Sequence, residues 1–201
     1  KANRKMKLLR EYIRELLTEG ASGEYYHMSP DKFDAFQQQF HGGWRANDVG
    51  FHFGTKETAL IVADKLKQEG RVKPGDVVYL YTVGLNANNP IQLDENRTGG
   101  WTVNSILNAM FEGFGGDAHP SIPEEAVDEY WDDVVTTSSG ENLKDLDYDQ
   151  HLLMSEFKSW LNDLGFDSIT YTNTFEGGGE SIIVLDPNQI TIKNIEEYQV
   201  P

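Results

Sequence analysis

An α+β domain is predicted, on three observations. Helical and strand periodicities interleave along the chain, tight hairpin-type turn signals separate them, and no internal repeat is visible. The 201 residues suffice for one well-cored domain with an elaborated edge and are too few for two ordinary ones. A hydrophobic fraction of 38% with 11% aromatics marks a globular chain rather than a disordered one.

The first element is an amphipathic helix within 1–20. Leu9, Tyr12, Ile13, Leu16 and Leu17 form one stripe at helical spacing, Arg10, Glu11, Arg14 and Glu15 lie opposite, and Gly20 stops it. It is basic on an acidic protein, which suits either a helix docked on the domain or a targeting segment. With Met6 as a native start, the stretch MKLLREYIRELLTEG resembles the head-targeting leaders of tailed-phage proteins. Cleavage there follows a Leu-x-Glu such as Leu17-Thr18-Glu19.

The domain proper is assigned to 21–201. A short aromatic strand is expected over Glu24–His27, because Tyr25 and Tyr26 are good strand formers. Ser29-Pro30-Asp31 opens a turn or short helix through Phe33 and Phe36. Gly50–Phe53 reads as a second strand, and Thr55 as the cap of a helix over Lys56–Glu69 that Gly70 ends. A strong strand follows over Asp76–Val83. From Asn86 to Gly116 the text is loop-rich, with breakers at Asn89-Pro90 and Gly99-Gly100 and a helix over Ser105–Phe111.

The stretch 117–149 is acidic and reads as a surface insertion with a helix near Glu124–Val135. A helix over Asp149–Leu164 turns Leu152, Leu153, Phe157, Trp160 and Leu161 inward. Strands over Ser168–Thr172 and Ser181–Leu185 flank the turn Gly177-Gly178-Gly179, and Ile190–Ile192 adds a last short strand.

Charge and composition exclude several functions. A net charge of −16 opposes stable nucleic-acid binding, which needs a basic face to neutralise phosphates. The absence of cysteine removes disulfides, thiol nucleophiles and Cys-ligated zinc, and suits a cytoplasmic protein. No apolar run approaches the roughly 20 residues that span a bilayer, so no membrane partner is expected. Charged residues interrupt the N-terminal apolar positions, so that segment is not a secretory signal.

Three places could carry chemistry. Tyr26-His27-Met28-Ser29 puts a His at the end of an aromatic strand with a hydroxyl close behind. Gly50-Phe51-His52-Phe53 precedes Thr58 on a helix. Each, standing alone, is accounted for by packing. Glu180 differs: a carboxylate directly after three glycines, at the mouth of an apolar strand, is poorly explained by packing. Separately, Asp145, Asp147, Asp149 and Glu156 occupy positions 1, 3, 5 and 12 of a calcium-loop pattern. Gln150 stands where that loop needs Gly, so an acidic helix start competes with it, and no His-based metal spacing is present.

Taken in order, YHMS, GFHFGTKETA, VVYLYTVGLNANNPIQLD and GFDSITYTN followed by GGGESIIVLDPNQI resemble one known family. It is the diphtheria-toxin and poly(ADP-ribose) polymerase branch of the ADP-ribosyltransferases, in the compact versions found in phages. The resemblance spans Tyr25 to Ile192 without the acidic insertion. It implies a split β-sandwich with flanking helices and NAD, as substrate, in the cleft between the sheets.

By the same resemblance His27 would hold the nicotinamide-side ribose, with Met28 and Ser29 beside it. His52 would stand at the second motif, with Gly50, Phe53 and Thr58 also against NAD. Glu180 would be the catalytic carboxylate, Phe175 and Glu176 would lie on the acceptor loop, and no metal is implied.

Such a carboxylate accelerates the reaction because breaking the nicotinamide–ribose bond develops positive charge on the ribose. The implied function is transfer of ADP-ribose to an acceptor, chiefly a protein side chain, in the cytoplasm of a host cell or from a virion. The alternatives are an inactive binding module on the same fold and a phage structural protein.

Two departures bear on this. Ile61 and Val62 stand where the family has a Tyr that stacks on nicotinamide. The spacing to Asp186 puts Ser181 rather than Glu180 in the family's Glu register, unless a bulge among the glycines shifts it; otherwise the domain is inactive or relies on Glu176.

Overall fold

The structure, a computed structural model, describes residues 23–37, 49–93, 101–112, 120–123, 126 and 150–201. The helix expected within 1–20, most of the acidic stretch 117–149 and the calcium-pattern residues Asp145, Asp147 and Asp149 lie outside them.

Seven strands and three α-helices are described. In chain order they are β1 (Tyr25–Ser29), β2 (Phe51–Phe53), α1 (Lys56–Gln68), β3 (Val77–Leu85), β4 (Pro90–Leu93), α2 (Val103–Glu112), α3 (Gln150–Asp163), β5 (Ser168–Asn173), β6 (Gly179–Val184) and β7 (Ile190–Gln199). The fold is α+β. One sheet has the order β1-β3-β7 and is antiparallel throughout. The other has the order β2-β6-β5-β4, with its edge strand β4 parallel to β5.

Strand alternation builds the layers. Val78 and Leu80 of β3 turn to α1, where Met28, Ala59, Ala63 and Leu66 join them. Tyr81 and Val83 turn the other way and meet Phe53, Ile182 and Val184 of the second sheet, so this core lies between the sheets. The far face of the second sheet presents Ile91, Leu93, Ile169, Tyr171 and Ile183 to Ile106, Leu107 and Met110 of α2 and Phe157 and Leu161 of α3. Both sheets are therefore covered on both sides, which is why central strands such as β5 are nearly continuous runs of buried residues.

The helix ends follow their capping chemistry. The Thr55 hydroxyl accepts from the Thr58 amide at 3.2 Å, and Gly70, at φ +71°, follows the α1 C-terminus. The Thr102 hydroxyl does the same for α2, accepting from the Ser105 amide at 3.2 Å.

The structure departs from the sequence expectations at two segments. Pro90–Leu93, read as loop from its breakers, is a strand; proline is tolerated because β4 is an edge and Pro90 is its first residue. The last strand runs ten residues, not three, because β3 supplies its hydrogen bonds while Lys193, Glu196 and Glu197 hide any alternation. A β-bulge opposite Thr82 and Val83 breaks its period as well. After Ser29 the chain takes the turn rather than the short helix. The Tyr81 hydroxyl accepts from the Phe33 amide at 2.7 Å and donates to the Phe33 carbonyl at 3.1 Å, and the two rings stack at 4.3 Å.

Candidate functional site

The two sheets touch where β1 runs beside the end of β2. The amide of Tyr26 donates to the Gly54 carbonyl at 2.9 Å, and that of Gly54 returns a bond to the Tyr26 carbonyl at 3.1 Å. Gly54 lies against β6 and α1 as well: a Cβ there would fall 3.0 Å from Ser181 Oγ and 3.0 Å from Thr58 Cγ2. A Cβ on Gly179 would fall 3.0 Å from Thr58 Oγ1. Three segments far apart in sequence thus meet at one seam, in a packing so close that a side chain at Gly54 or Gly179 would press on its neighbours.

His27 is fixed across this seam. Its Nδ1 lies 3.0 Å from the His52 carbonyl oxygen. A carbonyl only accepts, so Nδ1 carries the proton and Nε2 is an acceptor while the ring is neutral. The ring sits among Phe36 at 5.3 Å, Phe53 at 5.8 Å and Tyr81 at 6.3 Å, on the inter-sheet side of β1. Met28, one residue on, turns to the α1 side and is buried there. Ser29 is buried, and its hydroxyl accepts from the Asp31 amide at 3.1 Å, which shapes the following turn.

The imidazole of His52 lies elsewhere. Phe51 and Phe53 face the inter-sheet core, so alternation turns His52 to the opposite face of its sheet. There Nδ1 is 3.5 Å from the Tyr171 hydroxyl, and Trp101 packs on Tyr171 with ring centres 4.1 Å apart. The structure therefore brings the backbone of His52 to His27 but sets its ring apart.

Gly50 and Phe53 have packing reasons of their own. Phe53 is core. Gly50 sits at φ +72°, and a Cβ there would stand 2.3 Å from the Val184 carbonyl oxygen. Thr58 is buried, with its hydroxyl 3.1 Å from that of Thr55.

The register of Glu180 is settled by pairing. β5 and β6 match without irregularity from Asn173↔Gly179 to Ser168↔Val184, with Thr172 opposite Glu180 and Tyr171 opposite Ser181. No bulge intervenes among the described residues of this pair. Glu180 shares a face with Ile182 and Val184, the inter-sheet face that His27 also uses, and its own side chain is exposed. Tyr25 stands on that side as well. Burial and the negative charge of Glu180 together push its phenol above the ordinary value. Ser181 points the other way and is only 2% exposed, accepting from Asn173 Nδ2 at 3.3 Å.

In the turn between β5 and β6, Phe175 is 58% exposed, whereas Glu176 is tied down. Its carboxylate meets Lys65 Nζ at 3.2 Å and Asn173 Nδ2 at 2.7 Å, and its amide donates to Asn173 Oδ1 at 3.1 Å. Gly177 and Gly178, at φ +94° and +80°, close the turn. Asp186 and Gln189 form a capping box in the turn before β7, and Gln189 Nε2 reaches the carbonyls of Asn86 and Asp167, so that part of the last motif is a structural staple.

Sequence reading missed Tyr25, Lys65 and Asn173. Asn173 carried a usable signal, an Asn three residues before a Glu, which is the pattern of a capped turn. Among the described residues no cluster of three or more His, Asp or Glu could hold a metal, and no helix is long and apolar enough to cross a membrane.

A scan against protein-family models found no match, and a search of curated proteins found none. Among solved structures, "Crystal structure of an anti-CRISPR protein" is similar at a TM-score of 0.30 and 15% identity, over 88% of this chain and 95% of that chain. A likeness of that size carries no argument about fold or activity.

Proposed function

We propose that the chain is an NAD-dependent ADP-ribosyltransferase. One observation carries the reading: the segments around His27, Gly54–Thr58 and Gly179–Ser181, which together resemble that family, meet at a single seam between two sheets.

In the reaction the bond from ribose C1 to the nicotinamide nitrogen breaks, and its electron pair leaves on nicotinamide. A nucleophile of the acceptor bonds to C1 and gives up a proton. NAD and acceptor become ADP-ribosyl acceptor, nicotinamide and a proton. Glu180 is the carboxylate that opposes the positive charge growing on the ribose, as a preorganised anion does in glycoside cleavage. His27, its ring oriented by the bond from Nδ1 to the His52 carbonyl, stands on the nicotinamide-side ribose. Phe175, exposed on the turn before β6, meets the acceptor, and a net charge of −16 favours a protein over a nucleic acid there.

The test is nicotinamide release by purified protein from NAD, wild type beside Glu180→Gln and His27→Ala. Release that falls at least about 100-fold in Glu180→Gln, the size of effect that loss of a transition-state charge partner has, supports the assignment. NAD that neither binds nor is consumed overturns it. A second reading, an inactive binding module, draws on the exposed side chain of Glu180 and on the ring of His52, which lies by Tyr171 on the far face of its sheet. NAD binding without turnover in the presence of labelled lysate acceptors selects that reading.

A further inference from the structure

We infer that Lys65 and Glu176 are positioning residues: their ion pair clamps the β5–β6 turn to α1 and so presents Glu180 to the seam. The inference rests on the transferase reading for its consequence but not for its geometry.

The clamp is a chain of contacts. Lys65 on α1 reaches Glu176 at 3.2 Å, and the other carboxylate oxygen accepts from Asn173 Nδ2 at 2.7 Å. The same Asn173 Nδ2 reaches Ser181 Oγ at 3.3 Å, and the Asn173 carbonyl accepts from the Gly178 amide at 2.8 Å. One asparagine, 7% exposed, therefore joins the exit of β5 to the entry of β6, and Glu176 joins both to the helix. Two close approaches support the same geometry. Gly177 would put a Cβ 3.0 Å from Ile61 Cδ1, and Gly179 lies against Thr58 and Thr55.

Glu180 sits between two anchored neighbours, Gly179 packed on α1 and Ser181 bonded to Asn173, with only its own side chain exposed. A charged group on a fixed stem is what an electrostatic role requires, because an anion that wanders loses its advantage in the transition state. The pair is part-buried, with side chains 34% and 18% exposed, so melting temperatures measured beside the rates separate positioning from folding.

The experiment compares full-length Lys65→Met, Lys65→Arg and Glu176→Gln with wild type in two readouts. The first is kcat and KM for nicotinamide release. The second, independent of NAD, is the anisotropy and quenching of a Phe175→Trp reporter in each background.

Positioning predicts that Lys65→Met and Glu176→Gln lose about tenfold in kcat with KM within about twofold. Lys65→Arg retains the rate, the melting temperatures stay close to wild type, and the reporter loosens in the two deficient variants. An unchanged reporter with unchanged kcat overturns the inference, as does a loss of rate that only tracks a fall in melting temperature. If wild type releases no nicotinamide, the transferase reading fails; a reporter that still loosens in Lys65→Met supports the clamp, and one that does not overturns it.

Discussion

The side chain of His27 is held by the backbone of His52: Nδ1 of the first donates to the carbonyl oxygen of the second at 3.0 Å. The bond spans two strands that belong to different sheets, so it helps fix how the sheets meet. Removing it takes away that hydrogen bond and opens a gap among Phe36, Phe53 and Tyr81.

His27→Ala is expected to cost about 2–4 kcal/mol, from a lost hydrogen bond and a partly collapsed cavity. His27→Asn, whose amide can still donate to the His52 carbonyl, should cost less. Urea denaturation of both variants checks the order. Equal losses would mean that packing alone holds this position.

Gly50→Ala should be among the most damaging single changes in the domain. The new Cβ would stand 2.3 Å from a backbone oxygen of Val184, at a φ of +72° that alanine resists, and backbone gives way less readily than a side chain. A loss of about 3 kcal/mol or more is expected. Gly54→Ala meets the hydroxyl of Ser181 and the methyl of Thr58 at 3.0 Å, so about 1–2 kcal/mol should be lost there. Chemical denaturation that ranks Gly54→Ala as the worse of the two would contradict these contacts.

Tyr25 should give a pH dependence of known sign. Burial and Glu180 raise its pKa in the folded chain, so the fold binds that proton more tightly than the unfolded chain does. Its stabilising effect is complete below the ordinary tyrosine value of about 10 and is lost as pH rises through the folded value. Tyr25→Phe should remove this part of the alkaline destabilisation. Glu180→Gln should lower the Tyr25 titration midpoint, read by ultraviolet difference spectra against the Tyr25→Phe background.

Lys158 works in the opposite direction. Burial lowers its pKa to about 8, partly offset by the charge of Asp186. Between about 8 and the ordinary lysine value the unfolded chain binds the extra proton, so stability should rise with pH across that window. Below it the half-buried charge is a cost. Lys158→Met is therefore expected to stabilise the protein at pH 7 by about 1 kcal/mol or more, with the gain shrinking toward pH 10. Melting temperatures of the two proteins across that range test it; a gain that grows with pH would reverse the sign.

Local chemistry explains which elements could be read directly. Helix α1 was legible because Thr55 caps it, its apolar residues recur at helical spacing and Gly70 ends it. β3 and β5 were legible as apolar runs. β4 and most of β7 were not, since a four-residue strand opening on proline and a strand carrying Lys193, Glu196 and Glu197 have no period of their own. Each exists through a partner strand distant in sequence.

The candidate site divides in the same way. The sequence by itself determined that His27 and His52 sit on short strands beside turns, and that Glu180 stands at the mouth of one. Whether such side chains share a face depends on strand register, and a shift of one residue reverses every side chain. Pairing with β5 turned Glu180 toward the His27 side and Ser181 away from it, while the pairing of β2 with β6 sent the ring of His52 to the far face. The tie from Lys65 to Glu176 spans 111 positions and is created only when α1 docks beside the β5–β6 turn. Periodicity is a local property of the chain, whereas facing and contact belong to the packed sheets, because the hydrogen bonds that set them join segments with no sequence relation to one another.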